Sequence, residues 1–454
     1  MGIPTVVVTR EGFSRVVANS FAGVGLSPEA SQAIYPVNMF VPGSDLTPIQ
    51  ENMDELIAGL TKWEPKIEAE RVVTPPKVRV EAKEHEEVVT SVNRLFLRNM
   101  WSDGLPIMPP TERLVQWLLT GTDLSPNKVV TEILPRGGIA TVQTVAINLA
   151  MAGGRPEYMP VLIAALEAIS NPQFGHELMN STTCSVYPVI IINGPIAKKI
   201  RLGSGYGCLG PDPLHPAGAS IGRAIRLLLQ DVGGAIPGTG TMSIYGGPAR
   251  YTNIVFAEDD DALPSNWQTL SVEQGFRTGS NTVTAYAVSS TTNVPGGEVG
   301  NKDSVLASLN RAAATMAVPN GNYWFYPYNP DGAAGILLMA SGTAEGLSRF
   351  GWSKEEVKAY LWENSKIPVS KLGPQVSAWW VPDERIMQDP MPISMSPKGV
   401  KIVVAGGLQS GHMMWLQVGC CPEQLTSAEI ELPANYNRLL RKADEDLGPI
   451  TSGT

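Results

Sequence analysis

Basic residues are in the minority in this sequence: 34 Lys and Arg stand against 43 Asp and Glu, a formal net charge of −9. No segment gathers Lys and Arg into a stripe, which argues against nucleic acid or an anionic membrane surface as partner. Long apolar runs are missing as well. None approaches the roughly 18 residues of a membrane span, and Met1-Gly2-Ile3-Pro4 carries no basic region ahead of an apolar stretch, so the expected compartment is the cytoplasm. Cysteine is scarce, with four in 454 residues, too few for a disulfide framework. The sequence has no G-x-G-x-x-G after a strand with an acid downstream, no Walker A loop and no G-x-S-x-G elbow, and it therefore names no cofactor. No repeat of fixed period is visible.

What is present suits a folded body. Apolar residues make up 43 % and charged residues 17 %, enough material for buried cores. The length predicts two or three domains. The 45 Gly and 37 Pro form no low-complexity tract, so they predict many tight loops between regular elements.

Along the chain, Pro4 to Val8 reads as a strand, Glu11 to Val24 as a helix, Ala33 to Val41 as a strand broken by Pro36, and Thr47 to Lys62 as a helix with Pro48 in its first turn. This is a βαβα unit, an incomplete doubly wound sheet over residues 1–66. Residues 67–84 are charged and Pro-bearing, a linker. A larger mixed α/β body, with room for two lobes, is expected over 85–422. It holds helices at 81–100, 141–152, 156–169, 220–229, 342–350 and 354–362, and strands at 186–192, 254–257, 283–288, 336–339 and 400–405. The polar residues 423–454 read as a surface tail.

Several stretches resemble the UGSC-type (seleno)protein family. Gly2 to Val8 with its following helix is similar to the part just after that family's redox motif. Trp101-Ser102-Asp103-Gly104-Leu105-Pro106, Met151 to Tyr158, Ile192-Asn193-Gly194-Pro195, Ser204-Gly205-Tyr206-Gly207-Cys208, Ile221-Gly222-Arg223-Ala224 and Gly351-Trp352-Ser353-Lys354 are similar to its large partner or fused domain. The resemblance implies thiol- or selenol-dependent oxidoreductase chemistry. The family's Cys/Sec-Gly-Ser-Cys pair does not occur here, and Gly154 stands where the resemblance implies a cysteine. The expectation that follows is an oligomer in which a second polypeptide carries the redox motif and completes the N-terminal layer by strand addition.

The residues that can carry chemistry are few. Cys208 lies in the Gly-rich run Gly203 to Pro211, where backbone N–H groups can stabilise a thiolate. Cys184 lies just before a buried strand, and either thiol can equally be a small apolar filler. Cys420 and Cys421 are adjacent, which disfavours a disulfide between them. His412 follows a strand and the Gly-rich turn Ala405 to Gly411, which can cradle an anion. His176 and His215 sit on loops, and His85 sits in an acidic, solvated run. Cys184, His176, Cys208 and His215 suit zinc by type but match no compact zinc spacing. Arg155 can pair with an anionic substrate group or with Glu157, Asp103 and Asn193 sit in turns, and Tyr206 sits in the Cys208 loop. The candidate catalytic residues are thus Cys208, Cys184 and His412, and the candidate substrate-binding residues are Arg155, Asn193, Tyr206 and Asp103. Three functions fit: a small-molecule pocket beside a partner's redox thiol or selenol, a scaffold with no chemistry, and a hydrolase or lyase with Cys208 as nucleophile.

Overall fold

A computed structural model of the chain describes residues 5–23, 25–27, 32–36, 43–64, 66, 75–297, 299–318, 334–372, 388–419 and 424–448. It is an α/β protein with a small N-terminal layer and a large body.

The layer runs β1 (Val7–Arg10), α1 (Ser14–Gly23), β2 (Gln32–Tyr35), α2 (Thr47–Glu51) and α3 (Met53–Thr61). β1 and β2 pair in parallel, and Ala33 and Tyr35 bury against Val6, Ile49 and Leu56. The expected single helix over 47–62 is two, meeting at Asn52, whose amide turns back to Pro48 O at 2.9 Å. An Asn side chain that competes for backbone in this way breaks helices.

The body continues through α4 (His85–Arg98), α5 (Glu112–Leu119), the hairpin β3 (Val129–Ile133) and β4 (Gly138–Thr141), then α6 (Val142–Met151), α7 (Met159–Ser170) and α8 (His176–Ser181). Next come β5 (Tyr187–Asn193), α9 (Ile196–Lys199), α10 (Ala217–Asp231), β6 (Ile254–Ala257), α11 (Leu270–Glu273) and β7 (Thr282–Val294). The remainder is α12 (Lys302–Met316), β8 (Gly335–Met339), α13 (Ser341–Arg349), α14 (Lys354–Asn364), β9 (Val400–Val404), β10 (Met413–Val418), β11 (Thr426–Glu429) and α15 (Tyr436–Leu447).

The main sheet has the order β6-β5-β7-β10-β8-β9, with β11 also paired to β7. Its connectivity repeats. β5 runs parallel to β6 and antiparallel to β7, and β8 runs parallel to β9 and antiparallel to β10. The two β-α-β-β halves join where β7 and β10 pair antiparallel, Val294 opposite Met413. The body is therefore a pseudo-twofold pair of like-folded halves, a relation that the sequence does not display.

The alternation of buried residues sends each strand's side chains to two cores. In the first half Ile190 and Ile192 pack under α6, α7 and α10. In the second half Leu337, Met339, Ile402 and Trp415 pack under α12, α13 and α14. The other faces of both halves, including Val189, Ile191, Phe256, Tyr286, Ile336, Leu338, Val403 and Leu416, share a third core. The sheet thus curls until its two edges meet at their carboxyl ends, where Asp259 N donates to Val404 O at 2.8 Å.

Residues past 422 are not the surface tail that their polarity suggests. β11 pairs with Thr282 to Ala285 of β7, and α15 buries Tyr436, Leu439 and Ala443. Their apolar residues fall at helical spacing among charges, so overall polarity hides a packing face.

The two edges are pinned by Glu258. It is 3 % exposed, and its Oε2 accepts from Asn193 Nδ2 and from Leu270 N, both at 2.7 Å, while its Oε1 accepts from Val404 N at 3.4 Å. Glu258→Gln keeps one acceptor and turns an NH2 toward backbone donors. It should lower unfolding stability by about 2–4 kcal/mol, read as a fall in the urea midpoint with an unchanged slope.

Candidate functional site

The chain leaves β5 through α9 and returns to the carboxyl end of β6, where Gly203 O accepts Ala257 N at 2.9 Å. Beyond that point the Gly-rich run folds into two tight turns, Cys208 N to Gly205 O at 3.2 Å and Gly210 N to Gly207 O at 2.8 Å. Asp212 then makes a third turn, its Oδ1 accepting Leu214 N at 2.9 Å. Pro216 precedes α10, which no side chain caps. Gly218 sits where a Cβ would lie 2.6 Å from Val255 O, so only glycine lets the start of α10 lie this close to β6.

These turns enclose a small pocket lined by Cys208, Asp212 and His215 together with Gly203, Gly207 and Gly218. Asp212 Oδ2 lies 2.5 Å from His215 Nδ1, which fixes the imidazole and leaves Nε2 unengaged by the acid. The Cβ atoms of Cys208 and His215 each lie 3.7 Å from the point where a Cβ on Gly203 would stand. The thiol and the imidazole therefore flank one glycine. Burial pushes the Cys208 thiol up to about 11, against the opposing backbone N–H groups of Cys208 and Leu209. The bond from His215 holds the Asp212 carboxyl below its usual range. At neutral pH the site thus holds a protonated thiol beside an imidazole with an ionised acid behind it.

The second half contributes the loop Ala405 to His412. Gly406 N donates to Ser204 O at 2.8 Å, and the Tyr206 ring lies 3.0 Å from where a Cβ on Gly407 would stand. Gly407 has φ +86°, so both its backbone and the ring require glycine. Tyr206, Leu214 and Leu408 stay 68 %, 61 % and 74 % exposed, an apolar rim beside the pocket.

The Cys208 and His412 loops therefore meet, and the second loop turns a carbonyl, not its N–H groups, toward the start of α13. Gly407 O accepts Ser341 N at 2.9 Å, and Ser341 Oγ bonds the same carbonyl. The loop's own carbonyl fills the start of α13, which satisfies the helix dipole that an anion would have sought. His412 is exposed, and its carbonyl accepts Ala340 N at 3.2 Å.

The remaining candidates lie elsewhere. Cys184 precedes the amino end of β5, whereas Cys208 lies past its carboxyl end. Seven strand residues between them span about 20 Å, so a cleft common to both thiols is ruled out. Arg155 spends its guanidinium on Glu157 Oε1 at 2.5 Å and Asp446 Oδ2 at 2.9 Å and lies over Trp117. It fastens α15 to the body, as Arg201 does through Asp444. Asn193 Nδ2 is divided between Glu258 and Asp260, each at 2.7 Å, inside the buried knot. Asp103 holds Arg223 through two bonds of 3.0 Å, latching the 101–106 loop to α10. His176 Nε2 accepts Leu134 N at 3.0 Å, and burial lowers its pKa to about 4. It is a neutral structural acceptor far from Cys208. Among the described residues no three His, Cys, Asp or Glu side chains are placed to hold a metal ion, and no helix is long and apolar enough to cross a membrane. Cys420 and Cys421 lie outside the described residues.

No family model, curated protein or solved structure matches the chain. The site is therefore judged on its chemistry. The residue that sequence reasoning undervalued is His215, together with Asp212. The signal was there as Asp-x-x-His directly ahead of Pro216 and a helix, a spacing that lets an Asx turn bring carboxylate and ring together.

The raised thiol gives a sign that can be checked. A group with its folded pKa above its unfolded value of ~8.5 adds stability that is complete below pH ~8.5 and is lost as pH rises toward about 11. Wild type minus Cys208→Ala stability, measured by urea unfolding, should fall by about 2–3 kcal/mol across that window.

Proposed function

We propose that this chain is a thiol-dependent enzyme acting on a small molecule, with Cys208 as nucleophile. The observation that carries this reading is the Asp212–His215 pair at 2.5 Å in the same pocket as a half-buried thiol. A thiol kept protonated by burial is a poor nucleophile and needs a base. His215 Nε2 takes the Cys208 proton, and Asp212 holds the ring and stabilises the imidazolium. The sulfur attacks an electrophilic carbon of the substrate, and His215 returns the proton to the departing group, after which water releases the product. Gly218, in the uncapped first turn of α10, lines the pocket with Cys208, which would set the helix's positive end beside a thiolate. The exposed rim of Tyr206, Leu214 and Leu408 would receive an apolar part of the substrate.

A test needs no knowledge of the natural substrate. 4-Nitrophenyl acetate should give a stoichiometric burst of nitrophenolate that Cys208→Ser abolishes. His215→Ala should slow it ~10²-fold or more, and Asp212→Asn should slow it less. A burst that survives in Cys208→Ser, or a wild-type rate in His215→Ala, would overturn the assignment.

The oxidoreductase reading stands second, supported by the resemblance of the sequence and by one structural feature. Among the described residues the N-terminal sheet has two parallel strands, with Val8, Ile34, Met53, Ile57 and Leu60 exposed around it. A parallel layer this small is normally part of a larger sheet. In this reading a partner chain bearing a Cys/Sec-Gly-Ser-Cys loop completes the layer, and its thiol or selenol acts on substrate held by this chain. Native mass measurement on material from the source cells should show a heteromer. A fully active assembly of this chain alone would exclude the split arrangement.

A further inference from the structure

At the other end of α10 from His215, two arginines flank one loop. Arg226 donates from Nη2 to Gln230 Oε1 at 3.1 Å and from both Nη atoms to Ala235 O at 3.4 Å. Arg250 donates to Val186 O at 2.8 Å, to Thr241 Oγ1 at 2.9 Å and to Met179 O at 3.5 Å. Ala235 and Thr241 are the two ends of the same loop, closed by Thr241 N to Ile236 O at 3.1 Å. Every one of these acceptors is a neutral oxygen. The loop also meets a buried donor from the N-terminal layer. Asn19 Nδ2 makes no hydrogen bond and lies 3.0 and 3.1 Å from where Cβ atoms on Gly234 and Gly240 would stand.

Neither guanidinium is hydrogen-bonded to an acid, and desolvating a charge without a bonded partner is costly. Burial lowers Arg226, and the nearby Asp103 and Asp231 oppose that shift without bonding either arginine. Asp103 is committed to Arg223. Asp231 has an unpartnered buried Oδ1, and burial pushes its carboxyl up to about 8, toward its neutral form. Burial and the proximity of Arg226 lower Arg250 to about 10, the sign expected of a cation that faces another cation.

We propose that Arg226 and Arg250, with Asn19 and the Ala235–Thr241 loop, form a site for a phosphate-type dianion, separate from the Cys208 pocket. Arginine forks match phosphate oxygens in charge and geometry, and a dianion balances two guanidinium groups. The ligand would tie α1 of the N-terminal layer to the body through one anion.

The full-length chain, titrated with inorganic phosphate at an ionic strength held constant with sodium chloride, should show a saturable rise in Tm. Equilibrium dialysis with radiolabelled phosphate should give about one site per chain, the stoichiometry that one arginine pair requires. Arg250→Met and Arg226→Met should each weaken binding ~10-fold or more. Arg226→Lys, which keeps the charge and the fold but loses the fork, should weaken it less than Arg226→Met. Cys208→Ser should bind phosphate as wild type does, which keeps this test independent of the thiol chemistry. No saturable binding to the wild type, or wild-type affinity in a folded Arg226→Met or Arg226→Lys protein, would overturn the site and leave the arginines as ties between backbone segments.

Discussion

The Glu258 carboxylate is the point on which the body depends. A curled sheet of six strands in series has two edges, and its interior core is sealed only if those edges stay together. Here one buried acid holds the end of β5 through Asn193, the start of α11 through Leu270 N and the end of β9 through Val404 N. Burial alone would drive that carboxyl toward its neutral form. Lys354, Asn193 and the Leu270 N–H oppose the shift only in part, and the carboxyl stays above its usual range. Lys354 is itself fully buried and held by Glu273 and Gln268 O, so the charge balance reaches from the strand ends into α14. The Cys208 loop starts at Gly203, whose carbonyl is bonded to the end of β6 beside this knot.

The strands legible in the sequence are those whose side chains are buried on both faces. Val189 to Ile192 is a continuous β-branched run and Val400 to Val404 is one broken only by Lys401, because helices cover one side of the sheet and the shared core covers the other. Helices with a strong start were legible for the same local reason, as with the capping box at Ser353 and Glu356. β10 was missed because Met413-Met414-Trp415 carries no β-branched residue. The second half of β7 was missed because Ser289 to Asn293 are polar and all half-buried or exposed, with no alternation. α15 was missed because its anchors lie almost three hundred residues away, at Arg155.

The site was half legible. A Gly-rich loop with a thiol at the carboxyl end of a parallel strand pair is visible from local pattern. Its partner histidine is visible only once the Asp212 turn is built. Proximity to a strand misled in the case of Cys184, because sequence position does not say which end of the sheet a loop will occupy. Arg155, Asp103 and Asn193 misled for another reason. Polar residues in turns look available for ligands, yet here each is consumed in tying distant segments together, and those partners can be known only from the fold.

The pseudo-twofold body also has a mechanical aspect. The two halves are coupled twice, once by the continuous β7–β10 ladder and once by the contacts at the sheet edges. A ladder of backbone bonds resists separation but tolerates twist, as a hinge does. The edge contacts mix polar ties, such as Glu273 to Lys354 and Lys358, with the apolar seat of Trp267. Ser204 O to Gly406 N and the seat of Tyr206 on Gly407 belong to the same side. Trp267, which belongs to the first half, packs into the helix-backed core of the second, so a rotation of one half against the other would strain that core as well as the seam beside Cys208.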